Sequence, residues 1–252
     1  MLKKPVVTTS WDDGHPLDMK LLELLYKYDI KGTFYIPIEN DEHPILSKEQ
    51  IREISQNAEV GCHTYHHYTL TKLSLRDAWE EISSSKVALE NLTSCNIDMF
   101  CYPKGLYNKD HVQYVKKCGF IGARTCRRFE TKYFENPYLM GTTIHIYPRM
   151  FFFNLTHMLR RGMYAEVIQY IDFCGSESDI MKMTERYLSF VLTHGGVLHI
   201  WGHSWEIEEN CLWKKLEKII SLINQSKLLP KTNSEIIRIN IQKETVQDEL
   251  LI

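Results

Sequence analysis

Four short segments hold the residues whose types and spacing can do chemistry. Trp11-Asp12-Asp13-Gly14 sets two adjacent carboxylates where a β-like run stops. Neighbouring residues at a strand end point in different directions, so one carboxylate can hold a cation while the other takes a proton. Asp-Gly is also a common turn dipeptide, and alone the segment reads as a turn. Gly61-Cys62-His63-Thr64-Tyr65-His66-His67 carries three histidines in five residues. His63 and His67 can meet one metal if the segment coils into a turn of helix, which the spacing alone does not show. In Phe100-Cys101-Tyr102-Pro103-Lys104-Gly105-Leu106-Tyr107 the Pro and Gly form a rigid turn. Such a turn can aim a backbone N–H at an oxyanion, and an ordinary strand-exit turn fits it equally well. The stretch from Leu198 to Glu206 sets His203 between Trp201 and Trp205. A histidine there can titrate as an acid, and the indoles suit either a sugar-stacking wall or the core.

Short β-like runs alternate with helical patterns, which predicts an α/β protein with a parallel sheet or barrel. Strands are expected over 6–11, 32–37, 58–63, 98–102, 120–124 and 196–202, with 236–241 as a final strand or a loose end. Helices are expected over 19–28, 47–56, 75–92, 109–117, 182–192 and 212–223. Ser47 with Gln50 resembles a capping box, and Gly119 suits a helix C-terminus. The stretch 126–180, with Pro137, Pro148 and the run Met150-Phe151-Phe152-Phe153, is less regular. It is expected as an excursion with a helix or two, shaping a substrate cleft or packing as a half-buried loop. With no repeat and no linker, residues 1–252 read as one domain. In a parallel α/β fold the strand ends share one rim, which would gather Asp12, Asp13, His63, His67 and His203. A carboxylate and two neutral imidazoles make an open site for zinc or another divalent ion, completed by water. The second aspartate can help deprotonate that water, and a further histidine can protonate a leaving group.

Composition narrows the class. The 252 residues hold 30 Lys+Arg against 32 Asp+Glu, a net charge of −2, with 44% hydrophobic residues. This is a globular balance, and it argues against a nucleic-acid partner, which usually demands a basic excess. No apolar run approaches the roughly 20 residues of a membrane span. Only Pro5, Val6 and Val7 follow the first lysines before polar residues return, too little for a signal peptide, so a cytoplasmic location is expected. Seven scattered cysteines without a CxxC pair suit reduced thiols.

These residues resemble the polysaccharide deacetylase (NodB-homology) family, carbohydrate esterase family 4. The family's T-F-D-D motif resembles Ser10-Trp11-Asp12-Asp13, and H-[ST]-x-x-H resembles His63-Thr64-Tyr65-His66-His67. L-x-H resembles Trp201-Gly202-His203. The resemblance runs from residue 6 to about 225 and implies an incomplete seven-stranded (β/α) barrel. It implies Asp12 as general base, Asp13, His63 and His67 as ligands of a divalent ion, most simply Zn2+, and His203 as general acid. Thr64 would brace the loop, and the Lys104 N–H would help hold the oxyanion. The implied reaction is hydrolysis of an N-acetyl group on a sugar, with an N-acetylated glycan as substrate. A cytoplasmic member would act on a lipid-linked, nucleotide-linked or free oligosaccharide.

The third motif departs from the family. Where R-x-P-[YF]-G is usual, Cys101-Tyr102-Pro103-Lys104-Gly105 stands, so the arginine that pairs with the base is missing. Arg124, at the end of the next strand, is a candidate to replace it from the side. The motif that normally orients the acid histidine has no clear match, which leaves His203 without an assigned partner. His199 reads as a buried or lining residue, His15 as an exposed loop residue, and His66 as facing away from the metal. Two other readings compete: a related C–N hydrolase acting on a non-sugar amide, and a silent glycan-binding protein that keeps the metal triad as a structural pin. The intact Asp12 argues against the second.

Overall fold

The computed structural model describes residues 4–148 and 179–239, with Thr156, Leu159, Tyr164, Val167 and Ile171 between them. The aromatic run 150–153 and most of the later part of the expected excursion lie outside the described residues. Runs rich in β-branched and aromatic residues form Val6–Asp12 (β1), Gly32–Ile36 (β2), Glu59–Cys62 (β3), Met99–Cys101 (β4) and Gly122–Arg124 (β5). Ile144–His145 (β6), Val197–His203 (β7) and Leu229–Pro230 (β8) follow. Helices at Asp18–Lys27 (α1), Lys48–Asn57 (α2), Leu75–Thr93 (α3) and Lys109–Lys117 (α4) separate the early strands. Ile180–His194 (α5), Ser204–Glu209 (α6) and Trp213–Gln225 (α7) complete the set of named helices.

The helix ends follow local chemistry. At the start of α2 the Ser47 hydroxyl accepts from the Gln50 backbone N–H at 3.2 Å, and the Gln50 side-chain Oε1 accepts from the Ser47 N–H at 2.8 Å. That reciprocal pair is the expected capping box. Gly119 follows α4 at φ 81°, where a side chain would be strained.

All named pairings are parallel, in the order β5-β4-β3-β2-β1-β7-β6, with β8 beside the start of β1. The ends of that order, β5 and β6, leave the barrel incomplete, as expected. Two apolar layers hold it. The larger lies between the sheet and the helices and includes Trp11, Phe34, Ile54, Ile82 and Leu216. The smaller lines the inside of the curl, where Val6, Met99, Met140 and Val197 meet Ile236 and Ile237.

That inner layer corrects the reading of 236–241 as a strand. Residues 233–239 are helical, and 240–241 lie outside the described residues. Ile236 and Ile237 are both fully buried. Their β-branching suggested a strand, but burial of adjacent residues inside the curl outweighs local propensity. Asn233 fastens the segment: its side chain accepts from Thr8 Oγ1 at 2.8 Å and donates to the Tyr35 hydroxyl at 2.8 Å. The interior is thus plugged at one end, and the polar groups gather at the other. No helix among the described residues is long and apolar enough to cross a membrane.

Register decides which groups meet. Asp12 at the end of β1 lies opposite Tyr35 of β2 and His203 of β7. Cys101 at the end of β4 lies opposite Arg124 of β5. Because side chains alternate along a strand, Ser10 and Asp12 share the inner face of β1, as His199, Trp201 and His203 share that of β7.

Candidate active site

Asp12 and Asp13 diverge because the strand ends between them: Asp13 turns to φ 77°, outside the extended range. Asp12 stays inside the barrel, only 2% exposed, and one carboxylate oxygen accepts from the Arg124 guanidinium. The Cys101 thiol approaches its other oxygen at 3.9 Å. Burial raises the Asp12 carboxyl, but Arg124, with His63 and His203, carries it below its ordinary value. Arg124 is fully buried and lies over the rings of Trp201, 4.8 Å to the centroid, and Tyr35, 5.3 Å. The shift of the arginine by one strand is a matter of register. Cys101 and Arg124 are lateral neighbours, so a guanidinium moved from β4 to β5 still reaches Asp12.

Asp13 faces the histidines. Its Oδ1 lies 3.6 Å from His63 Nε2 and 3.2 Å from His67 Nε2, and its Oδ2 accepts from the Trp205 indole N–H at 2.9 Å. His63 Nδ1 bonds the Cys101 carbonyl at 2.9 Å, which requires the proton on Nδ1 and turns the Nε2 lone pair toward Asp13. Burial holds His63 below the usual imidazole value. The helical coil considered for this segment is absent. Residues 63–69 are irregular, and Thr64 (φ 66°) and His67 (φ 60°) turn left-handed. Those two turns, not an i,i+4 helical face, bring the rings within 4.9 Å. Glu81 of α3 holds the loop: it accepts from the N–H groups of Tyr65 at 3.0 Å and His66 at 2.9 Å, and pairs with His66 Nδ1 at 2.6 Å. His66 therefore faces away from Asp13, and the Thr64 hydroxyl donates to the His63 carbonyl at 2.6 Å. Asp13, His67 and Lys104, which line the cavity, and Thr64 behind them all have positive φ. Each such residue costs of order 1 kcal/mol, a strain that the surrounding hydrogen bonds hold in place.

His203 has a partner that the sequence reading left unassigned. Its Nδ1 bonds Glu206 Oε2 at 2.6 Å, and its Nε2 lies 3.9 Å from an oxygen of each aspartate. Burial opposes charge on His203, but Asp13, Glu206 and Asp12 prevail and raise it to about 9. Glu206 also accepts from His145 Nε2 at 2.9 Å. Burial raises Glu206, but His145 and His203 pull it down to about 2. A sequence signal existed: Glu206 stands three residues after His203, and α6 begins at Ser204. His145, on a two-residue strand inside the irregular stretch, had none.

Both tryptophans line the cavity, and each also packs on a neighbouring ring. Trp201 is sandwiched between His145, 4.0 Å away and 12° from parallel, and Arg124. Trp205 stacks on His43 at 4.1 Å while its N–H holds Asp13. His199 is buried against Ser10 Oγ at 2.8 Å and the Gly141 carbonyl at 3.0 Å, away from the rim. His15 is half-buried, and its Nδ1 accepts from the Leu17 N–H at the start of α1. Lys104 Nζ pairs with Glu42 at 2.6 Å, and Glu42 reaches His67 Nδ1 at 3.3 Å. The N–H groups of Gly105 and Leu106 close the turn onto the carbonyls of Tyr102 and Pro103. A cavity of about 340 Å3 opens over Asp12, Asp13, His63, His67, His203 and Glu206. A buried carboxylate and a part-buried imidazole beside a three-donor cluster, at the mouth of a half-barrel, have the groups that hydrolysis of an amide or ester needs.

The sequence profile of the polysaccharide deacetylase family matches residues 1–123, which contain β1 to β4 and the start of β5, with both the aspartate pair and the histidine loop, and stop short of Arg124. Residues 1–123 carry the sequence signature of the polysaccharide deacetylase family. A bifunctional xylanase/deacetylase of Pseudobutyrivibrio xylanivorans is 26% identical over 99 residues. That match takes in 39% of this chain and only 16% of the relative. Two solved structures share the fold over nearly the whole length. The Xyl-CE4 domain of a multidomain xylanase from the hindgut metagenome of Trinervitermes trinervoides has a TM-score of 0.58 at 14% identity, covering 94% of this chain and 92% of that one. The chitin deacetylase of the fungal pathogen Colletotrichum lindemuthianum has a TM-score of 0.60 at 16% identity, covering 94% and 90%. The fold is thus the incomplete (β/α) barrel of NodB-type deacetylases.

Proposed function

We propose that the chain is a metal-dependent hydrolase that removes an N-acetyl group from an amino sugar of an oligo- or polysaccharide. The observation that carries this reading is the convergence of Asp13 with His63 and His67, flanked by Asp12 on one side and His203 on the other.

The donor set fits a divalent ion. One carboxylate oxygen and two imidazole nitrogens lie within 4.8 Å of one another, the ligand types zinc takes with an open fourth position. The Cys101 carbonyl orients His63, and the Trp205 indole holds the Asp13 oxygen that faces away from the histidines. When bound, the ion supplies a Lewis acid for the acetamide carbonyl and makes water acidic near neutral pH.

The chain's own groups do the rest. Asp12 Oδ2 takes the proton of the attacking water, while Arg124 holds Oδ1 and keeps the group ionised. The Lys104 N–H, which makes no backbone hydrogen bond among the described residues, donates to the carbonyl oxygen as charge builds there. His203 gives its Nε2 proton to the departing amine as the C–N bond breaks, and Glu206 holds the ring through Nδ1. Acetate and the free amino sugar leave.

The test is acetate release from a panel of N-acetylated sugars and non-sugar amides, with metal analysis of the same preparations. Turnover on sugars with about one tightly held divalent ion per chain is expected. Asp13→Ala should lose that ion, and Asp12→Asn should keep it and lose turnover. Hydrolysis of non-sugar amides alone would assign the chain to the competing hydrolase class. Full turnover by Asp12→Asn would remove Asp12 as the base.

A further inference from the structure

We propose that His145, His203 and Glu206 form a second, weaker divalent-cation site, and that filling it disables His203 as an acid. The three residues come from β6, β7 and α6 and line the same cavity as the aspartates. One donor atom from each of the three lies within 4.8 Å of the other two. Glu206 Oε2 is 2.6 Å from His203 Nδ1 and 2.9 Å from His145 Nε2. Around an ion with ligand distances of about 2.0–2.1 Å, donors stand roughly 3.3 Å apart. Each imidazole nitrogen needs to move away from Glu206 Oε2 by only about 0.4–0.7 Å to accept it.

The rings are already aimed. His145 is stacked on Trp201, 12° from parallel, and its plane is at 79° to that of His203, so the two ring nitrogens approach the carboxylate from different directions. Two imidazoles and one carboxylate select zinc, cobalt or copper over magnesium or calcium. Without an ion, each imidazole gives an N–H to Glu206. Binding therefore releases two protons to solvent, one from His203 Nδ1 and one from His145 Nε2. That competition, with Arg128 in the same cavity wall, makes this site weaker than the one at Asp13, His63 and His67.

The consequence follows from the two faces of one ring. His203 Nε2 points toward Asp12 and Asp13, while Nδ1 points to Glu206. An ion on Nδ1 leaves the ring neutral with its remaining proton on Nε2. The ion also takes Glu206 Oε2 away from Nδ1, so the ring loses the partner that aims Nε2 at the leaving group, and protonation of that group slows. The first ion need not move.

The test is a Zn2+ titration of the full chain by calorimetry and equilibrium dialysis, with acetate release followed in parallel. Wild-type protein should bind a second ion more weakly than the first, and zinc beyond one equivalent should inhibit. His145→Ala and Glu206→Gln should each lower the second affinity by at least about 10-fold. His145→Ala should also raise the zinc concentration that halves its own one-equivalent rate. Asp13→Ala should still bind one ion, and Asp13→Ala with His145→Ala should bind none at that affinity. The stoichiometry arm stands whether or not the chain deacetylates sugars. If His145→Ala misfolds by circular dichroism, Glu206→Gln decides. Two ions of unchanged affinity in the folded variants, or a single ion in wild-type protein at millimolar zinc, would overturn the second site.

Discussion

Removal of the Arg124 guanidinium is the sharpest probe of how Asp12, the proposed base, is held. Arg124→Met keeps most of the side-chain volume between Trp201 and Tyr35 and leaves the Asp12 carboxylate buried without its cation. Both partners are almost wholly inaccessible, with side-chain exposures of 0% and 3%, so solvent offers Asp12 little relief. Breaking a buried pair from one side costs about 3–5 kcal/mol. In a chain of this length each kcal/mol moves the thermal midpoint by about 2–4 °C, so the variant should melt roughly 6–20 °C lower. Asp12→Asn in the same background removes the stranded charge, so the double variant should lose less than the sum, with a coupling of about 1–3 kcal/mol. Turnover should fall by about 100-fold or more, the usual share of a general base. Zinc affinity should change far less, because no described contact joins Arg124 to Asp13, His63 or His67. Calorimetric melting, acetate release and zinc titration of the single and double variants test all three. Equal losses of metal and turnover would refute the reasoning, as would an unchanged melting midpoint.

Three further outcomes are expected. Trp205→Phe keeps a ring against His43 but loses the N–H that holds Asp13, so zinc affinity measured by competition with a chelator should drop about 10- to 100-fold. Glu81→Ala leaves the N–H groups of Tyr65 and His66 without their acceptor. At about 1 kcal/mol or more for each, it should lower the thermal midpoint and weaken zinc binding together, and a change in neither would remove Glu81 as the support of the loop. Burial, with Arg124, lowers His199 to about 3 in the folded protein, against 6.5 for the free side chain. Between those values the unfolded chain takes up a proton that the folded one refuses. Stability is therefore complete above pH about 6.5 and falls by about 1.4 kcal/mol per pH unit toward about 3. Urea midpoints at pH 7 and pH 5 should differ less in His199→Gln than in wild-type protein, and equal differences would contradict the assignment.

Most of the fold was legible because the signals were local. The capping box at Ser47 and the apolar period of α1 to α4 act within a few residues. The strand at 236–241 was misread because burial of Ile236 and Ile237 inside the curl is a long-range event, and propensity says nothing of it. His145 was not found because a two-residue strand has no readable period.

The chain's residue order alone established which groups are available: an aspartate pair at a strand end, a histidine loop with fixed spacing, and a histidine after the last long strand. Those are properties of covalent neighbours. The tertiary structure decided their geometry. It chose the left-handed turns at Asp13, Thr64 and His67, set Arg124 beside Cys101 so that a guanidinium from another strand reaches Asp12, and gave Glu206 to two histidines at once. The physical reason is that register, burial and charge pairing join site residues up to 192 positions apart, and only the curled sheet holds them at hydrogen-bonding distance.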